Sequence, residues 1–242
     1  MRTIRLTIEY DGRAYVGWQR QRNGVSVQEE LERSLAQVLQ QGTKVVGAGR
    51  TDSGVHARGQ VVHFKTRNLM PVRQIRKGLN AVLPRDIVVR EAEEVEAGFH
   101  ARHSAKERAY RYYVSTVPTA LNRERCWVVF PKLHVSPMRE CAEFVKGAHD
   151  FASFAKKGSV RDSSMCSVKS ARWIRQGPLL VFEIRANRFL HGMVRSLVGT
   201  MVEVGRGRRT VDEFKRVLDA RDRKLAGPAA PAQGLVLEEV LY

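Results

Sequence analysis

The sequence predicts an α+β fold built as two similar halves that meet near residue 105. Three observations carry that prediction. Apolar residues alternate with period two in several runs, the mark of half-buried strands. Other runs place apolar residues at helical spacing behind recognisable caps. Strands and helices alternate, with several strand neighbours close enough to pair antiparallel.

The elements follow in order. Residues 2–10 alternate, with Ile4, Leu6, Ile8 and Tyr10 on one face and Thr3, Arg5, Thr7 and Glu9 on the other. Residues 11–24, rich in Gly, Arg and Gln, read as a loop. Ser26-Val27-Gln28-Glu29 reads as a capping box, followed by Leu31, Leu35, Val38 and Leu39 on one helical face, with Gly42 as the stop. Residues 44–49 and 60–64 read as strands around the Asp52 loop. Pro71 opens a short helix through Leu79, and residues 86–95 form another strand. In the second half, residues 107–115 place Tyr110, Tyr112 and Val114 on one strand face, and residues 126–130 form a strand. Ser136-Pro137 caps a helix that stops at Gly147. Residues 179–187 align Leu180, Phe182, Ile184 and Ala186. A helical face runs from Leu190 to Val202 and ends at Gly205. Thr210-Val211-Asp212-Glu213 caps the last helix, and residues 235–242 form the final strand.

The totals narrow the function. Apolar residues make up 43% and charged residues 28% of 242, an ordinary globular balance. Lys plus Arg is 42 against 25 for Asp plus Glu, a net charge of +17. Like charges repel in a compact chain, and a polyanion relieves that repulsion by releasing its condensed counterions. The three cysteines, Cys126, Cys141 and Cys166, form no C-x-x-C pair, which argues against a disulfide framework or a structural zinc site. No signal peptide and no run long enough to span a bilayer is expected, so the cytoplasm is the default.

The Gly-rich segment Gly47-Ala48-Gly49-Arg50-Thr51-Asp52-Ser53-Gly54 is the main chemical candidate. A dinucleotide fingerprint needs a third glycine where Asp52 stands. A P-loop needs Lys and Ser or Thr where Val55-His56 follow. A carboxylate remains, held between two strands in a loop whose glycines admit a close approach. Taken alone, Asp-Ser-Gly favours a simple Asx turn. His100 and His103 lack a carboxylate or cysteine to complete a metal set, and His56 and His63 read as structural histidines flanking the loop. Basic segments at Arg20/Arg22, 102–111, 156–161 and 206–209 interleave with Trp18, Tyr110, Tyr112, Tyr113, Phe151 and Phe154. Positive charge with aromatic faces suits RNA bases splayed out of a helix.

Several motifs together resemble those of the TruA-type tRNA pseudouridine synthases. They are residues 47–57 with Gly59-Gln60-Val61-Val62-His63-Phe64; Tyr15-Val16-Gly17-Trp18-Gln19-Arg20-Gln21; Val27-Gln28 with Leu31-Glu32; and Phe99-His100-Ala101-Arg102 through Tyr110-Arg111-Tyr112. They continue with Asn187-Arg188-Phe189-Leu190, Met193-Val194-Arg195 and Val198-Gly199, and end with Ala230-Pro231-Ala232 and Gly234-Leu235. The resemblance runs nearly end to end and in order. Ser53 stands where alanine is more usual, a small-for-small change.

The resemblance implies an isomerase that detaches uracil from its ribose and rejoins it through carbon 5, at positions 38, 39 and 40 of the tRNA anticodon stem and loop. It implies no metal and no organic cofactor. It also implies a homodimer and a pseudouridine synthase fold, with two related halves whose mixed or antiparallel sheets join across a basic cleft. Residues 1–105 would carry the catalytic loop and residues 106–242 the active-site tyrosine and arginine. Asp52 matches the nucleophile, which attacks ribose carbon 1′ or uracil carbon 6. Tyr110, Arg50 and Arg195 match substrate-binding positions. Arg50 would hold the target nucleotide out of its stack, and Arg195 would pair with the aspartate. Two rivals stay open: a non-catalytic tRNA-binding protein, and a hydrolase using an aspartate nucleophile, which usually needs a second carboxylate.

The charge makes one prediction by itself. Affinity for tRNA, measured by filter binding, should fall on the order of tenfold or more between 50 and 200 mM salt. A flat response would remove the electrostatic argument.

Overall fold

The computed structural model describes residues 1–130, 133–160 and 163–242. The fold is α+β, as the patterning predicts. The chain divides into two compact units, residues 1–106 with 237–242, and residues 107–236.

In the first unit, β1 (Arg2–Tyr10) sits between β3 (His56–Thr66) and β4 (Ile87–Val95), antiparallel to both. The two-residue β2 (Val46–Gly47) pairs with β3. Residues 237–241 of β10 (Leu235–Leu241) flank β3 on its other side. The alternation of β1 is real, since Ile4, Leu6, Ile8 and Tyr10 are all buried. Helix α1 (Val27–Leu39) starts at Ser26, whose hydroxyl accepts the Glu29 amide. Only that arm of the expected capping box forms; the Glu29 carboxylate meets Arg20 at 3.4 Å. Helix α1 stops at Gln40 and not at Gly42. Gln40 takes a left-handed φ of 53° and its side-chain amide donates to the Gln37 carbonyl, satisfying a helix end that glycine was expected to satisfy. Helix α2 (Val72–Val82) lies against α1 where Val38 covers Gly78. Asn80 fastens α2 to β4 by exchanging two hydrogen bonds with Val89, 2.9 and 2.8 Å.

The second unit is a sheet in the order β5 (Glu107–Ser115), β9 (Leu179–Ala186), β8 (Met165–Gln176) and β7 (Gly147–Asp150), each antiparallel to the next. The short β6 (Trp127–Val128) pairs parallel to β5. Helices α3 (Val135–Phe144), α4 (Met193–Gly205) and α5 (Val211–Ala220) pack on one another, α3 also on β8 and α4 on β5. Thr210 and Glu213 form the full reciprocal capping box ahead of α5.

The structure departs from three expectations of the sequence. The strand at 126–130 shrinks to two residues. Helix α3 is capped at His134, which places Pro137 in its first turn, where an amide would lack a helical partner anyway. The same helix ends at Phe144, and the stretch toward Gly147 opens β7. The strand β8 was not legible in the pattern. Its register slips between Val168 and Ser170, so the buried residues fall at Cys166, Val168, Ala171 and Trp173, and the extra residue breaks the period of two.

Helix α4 is buried almost all round, with Arg195 and Glu203 its only half-buried positions. It is locked to the loop before β10. The Ala230 amide donates to the Arg195 carbonyl at 2.9 Å, Arg195 Nε donates to the Ala230 carbonyl at 2.7 Å, and the Gly227 amide donates to Thr200 at 3.0 Å. Gly199 permits this approach, because a Cβ there would stand 1.8 Å from the Pro228 carbonyl oxygen. Gly199→Ala should therefore destabilise the protein by about 1–3 kcal/mol or more, read from urea denaturation. Wild-type stability in that variant would show that the loop yields freely.

Candidate active site

The Asp52 loop is held at its backbone from several directions within the first unit. The Trp18 amide donates to the Thr51 carbonyl at 3.1 Å. The Thr51 and Tyr10 hydroxyls share a hydrogen bond of 2.8 Å. Gln60, buried in β3, donates its side-chain amide to the Gly49 carbonyl at 2.9 Å. A turn then closes from the Asp52 carbonyl to the Val55 amide at 3.1 Å, with Gly54 supplying the left-handed φ of 78° at its third position. The Ser53 hydroxyl donates to the Tyr15 carbonyl at 3.2 Å, which adds a further tether.

Two glycines set the distance between the loop and its support. A Cβ on Gly17 would lie 2.6 Å from the Thr51 carbonyl oxygen, and one on Gly12 would lie 2.0 Å from that of Val55. Both neighbours are backbone, so they cannot rotate away. Trp18 is buried beneath, stacked on Tyr10 with centroids 6.4 Å apart and lying over Gly47. The flanking histidines are engaged by backbone. The Gly12 amide donates to His56 Nδ1, and the Ala101 amide to His63 Nδ1. His100 Nδ1 accepts from the Arg102 and His103 amides, and its ring lies 4.3 Å from that of His103.

Of the residues nominated from sequence, Arg50 and Asp52 share this loop. Asp52 is half-buried. Arg50 is exposed, and among the described residues its guanidinium makes no hydrogen bond or ion pair. Tyr110 and Arg195 belong to the second unit. Tyr110 lies on β5 opposite Ile184 and meets Phe189 edge to face at 5.0 Å. Arg195 is held by Ala230 as described above.

The aromatic side chains differ from the sequence expectation. Trp18, Tyr112, Phe151 and Phe154 are core residues with at most 2% exposure. They offer no face to a base. The basic segments are also partly neutralised. Arg20 pairs with Glu29, Arg111 with Glu183, and Arg206 and Arg208 with Glu203. Arg161 falls outside the described residues. Tyr10, Thr51, Gln60 and Gly17 hold the loop, a role not expected from the sequence, although Tyr10 closes the buried face of β1 and the other three fall within the quoted motifs.

The family model described as tRNA pseudouridine synthase matches residues 6–104 and 141–242. The chain belongs to that family. The enzyme is an isomerase acting on tRNA. Arg50 and Asp52 fall in the first matched segment and Arg195 in the second, with Tyr110 between them. The chain is 43% identical to the tRNA pseudouridine synthase A of Acetivibrio thermocellus, over all of both chains. It is 45% identical to the protein of that name from Geobacter sp. (strain M21), over all of this chain and 99% of the other. It is also 45% identical to the one from Chlorobium luteolum, over all of this chain and 96% of the other.

The support under the loop has a signature in pH. Burial pushes the Tyr10 hydroxyl up from 10.0 to about 12, against the opposing pull of hydrogen bonds with Thr51 and Gln60. The folded state thus holds this proton more tightly than the unfolded state. Its contribution is complete below pH 10 and is lost as pH rises toward about 12. Burial also raises Tyr15 and Tyr112, so part of any alkaline decline has other sources. Tyr10→Phe should make the decline in unfolding free energy between pH 10 and 12 shallower by roughly 1–3 kcal/mol, measured by urea denaturation. An unchanged decline would contradict the assignment.

Proposed function

We propose that the enzyme converts uridine to pseudouridine at positions 38, 39 and 40 of the tRNA anticodon stem and loop, with Asp52 as nucleophile. The observation that carries this reading is the Asp52 turn. Thr51 is fixed on one side by Trp18 and Tyr10, and Ser53 on the other by the Tyr15 carbonyl. A nucleophile gains most from such fixing, because a preset position removes the orientational cost of attack.

The reaction is a balanced isomerisation. The bond between ribose carbon 1′ and uracil N1 breaks, and a bond between carbon 1′ and carbon 5 forms. The hydrogen on carbon 5 leaves as a proton, and N1 takes one up. No electron is gained or lost overall, and on this reading no metal or organic cofactor takes part. Asp52 attacks carbon 1′ or carbon 6, and either attack requires an ionised carboxylate. Arg50, exposed beside it, keeps the flipped nucleotide from restacking, since a stacked base hides its glycosidic bond. Tyr110 contacts the uracil, and Arg195 supplies positive charge for the carboxylate and substrate. Residues 1–105 thus contribute the nucleophile, and residues 106–242 contribute Tyr110 and Arg195. The enzyme works in the cytoplasm as a homodimer.

Incubation with tRNA tritiated at uridine carbon 5 tests this. Wild type should release tritium in the presence of EDTA, with pseudouridine mapping to positions 38–40 and no free uracil. Asp52→Asn should release none. Normal release by Asp52→Asn would remove the assigned nucleophile, and free uracil would point to a hydrolase.

A further inference from the structure

The second unit contains a cavity of about 310 Å³ that neither Tyr110 nor Arg195 lines. Its walls come from two turns far apart in sequence, one at residues 155–160 and one at residues 221–224. Among the described residues, five basic side chains line it, Lys156, Lys157, Arg221, Arg223 and Lys224, against one carboxylate, Asp222. The fold gathers these charges deliberately. Phe154, under the first turn, packs on Phe214 of α5 with centroids 5.8 Å apart, and α5 runs directly into the second turn. Arg221 ends α5 in a left-handed conformation, φ 54°, and Gly158 bends the first turn with φ 74°.

Two carboxylates near these charges, Asp150 and Asp222, are already partly engaged. Arg221 Nε meets Asp150 at 3.3 Å, and Arg223 donates to the Ala226 and Gly227 carbonyls. Asp222 accepts the Lys224 amide at 2.9 Å, so its carboxylate is partly spent on the turn. Among the described residues the ammonium groups of Lys156, Lys157 and Lys224 make no hydrogen bond or ion pair, and all three lysines are exposed. Three unneutralised ammonium groups around one concavity repel each other. An anion in the cavity reverses the sign of that interaction.

The lining also says which anion. Among the described residues no aromatic ring lines the cavity, so they offer a base nothing to stack on. Lysines are point charges suited to phosphate oxygens, and an open concavity on the surface admits a continuous polymer. We infer that this cavity receives phosphodiester groups of the tRNA backbone, as a sequence-independent positioning contact separate from the residues that handle the target uridine. Its first turn is tied to the entry of α4, because the Lys156 amide donates to the His191 carbonyl at 2.8 Å. An RNA backbone seated here is therefore registered against the helix that carries Arg195. Phosphate contacts of this kind fix orientation while base identity is read elsewhere. This inference rests on the reading of the chain as a tRNA-acting enzyme.

The test compares tRNA binding by wild type, Lys156→Gln/Lys157→Gln/Lys224→Gln, and Asp222→Asn across salt concentrations. The triple variant should bind tRNA on the order of tenfold more weakly at 100 mM salt, with a log–log salt slope shallower by about 2–3. Asp222→Asn keeps the side-chain oxygen of the turn but removes the opposing charge, and should bind severalfold more tightly. Opposite signs from two neighbouring changes would not arise from misfolding, and thermal denaturation of each variant checks the fold. Unchanged slopes, or weaker binding by both variants, would overturn the inference. Tritium release by wild type separates the two claims. Its absence removes the isomerase reading, whereas active wild type with an unaltered slope in the triple variant removes the cavity's role alone.

Discussion

The hydrogen bond from the Trp18 amide to the Thr51 carbonyl fixes where the Asp52 turn begins, and the packing around it explains why the neighbouring sequence is as it is. That bond exists only if two backbone segments come close, which is why position 17 is glycine. It holds its place because Trp18 is buried against Tyr10 and Gly47, and Tyr10 is the last inward residue of β1. The length of β1 thus determines where the carboxylate sits. The Tyr10–Thr51 hydrogen bond ties the strand to the residue immediately before Asp52, and burial at that point makes a lost partner costly.

The second unit solves a similar problem with a helix. Arg195 lies on a helix with almost no solvent-facing surface, and its carbonyl and guanidinium are both engaged by one residue, Ala230. Gly199 and Gly227 let the loop approach α4 closely enough for that exchange. In both units the proposed functional side chain is placed by backbone hydrogen bonds at glycine contacts. Such contacts tolerate little movement, since the atoms opposite each glycine belong to the main chain.

Legibility in the sequence followed the range of the interaction. Elements set by local periodicity and capping were readable: β1, β5 and β9 from alternation, α5 from its capping box. Elements set by a register slip or by tertiary pairing were not. Bulged β8 hides its period at Lys169, four-residue β7 exists through the strand it pairs with, and of β6 only the extent was misread, two residues where five were expected. At the site, Asp52 and Arg50 stood out because glycines punctuate their loop. Tyr10, Thr51, Gln60 and Gly17 did not, because their roles depend on contacts across 11 to 41 residues of chain. Charge was legible in total and misleading in detail. Many arginines counted toward the surplus are paired with nearby carboxylates, while exposed Lys156, Lys157 and Lys224 have no such partner among the described residues.

The claim common to these features is that the loop specifies the position of a carboxylate, beyond supplying its charge. Asp52→Glu keeps the charge and the chemistry and moves the oxygens by one methylene. Its single-turnover rate of pseudouridine formation on tRNA, measured beside tRNA affinity, is the direct test. If position is what the Trp18, Tyr10 and Gly17 contacts secure, the rate should fall on the order of 100-fold or more with affinity little changed. A rate near that of wild type would contradict it, showing that the carboxylate acts without the placement the loop provides.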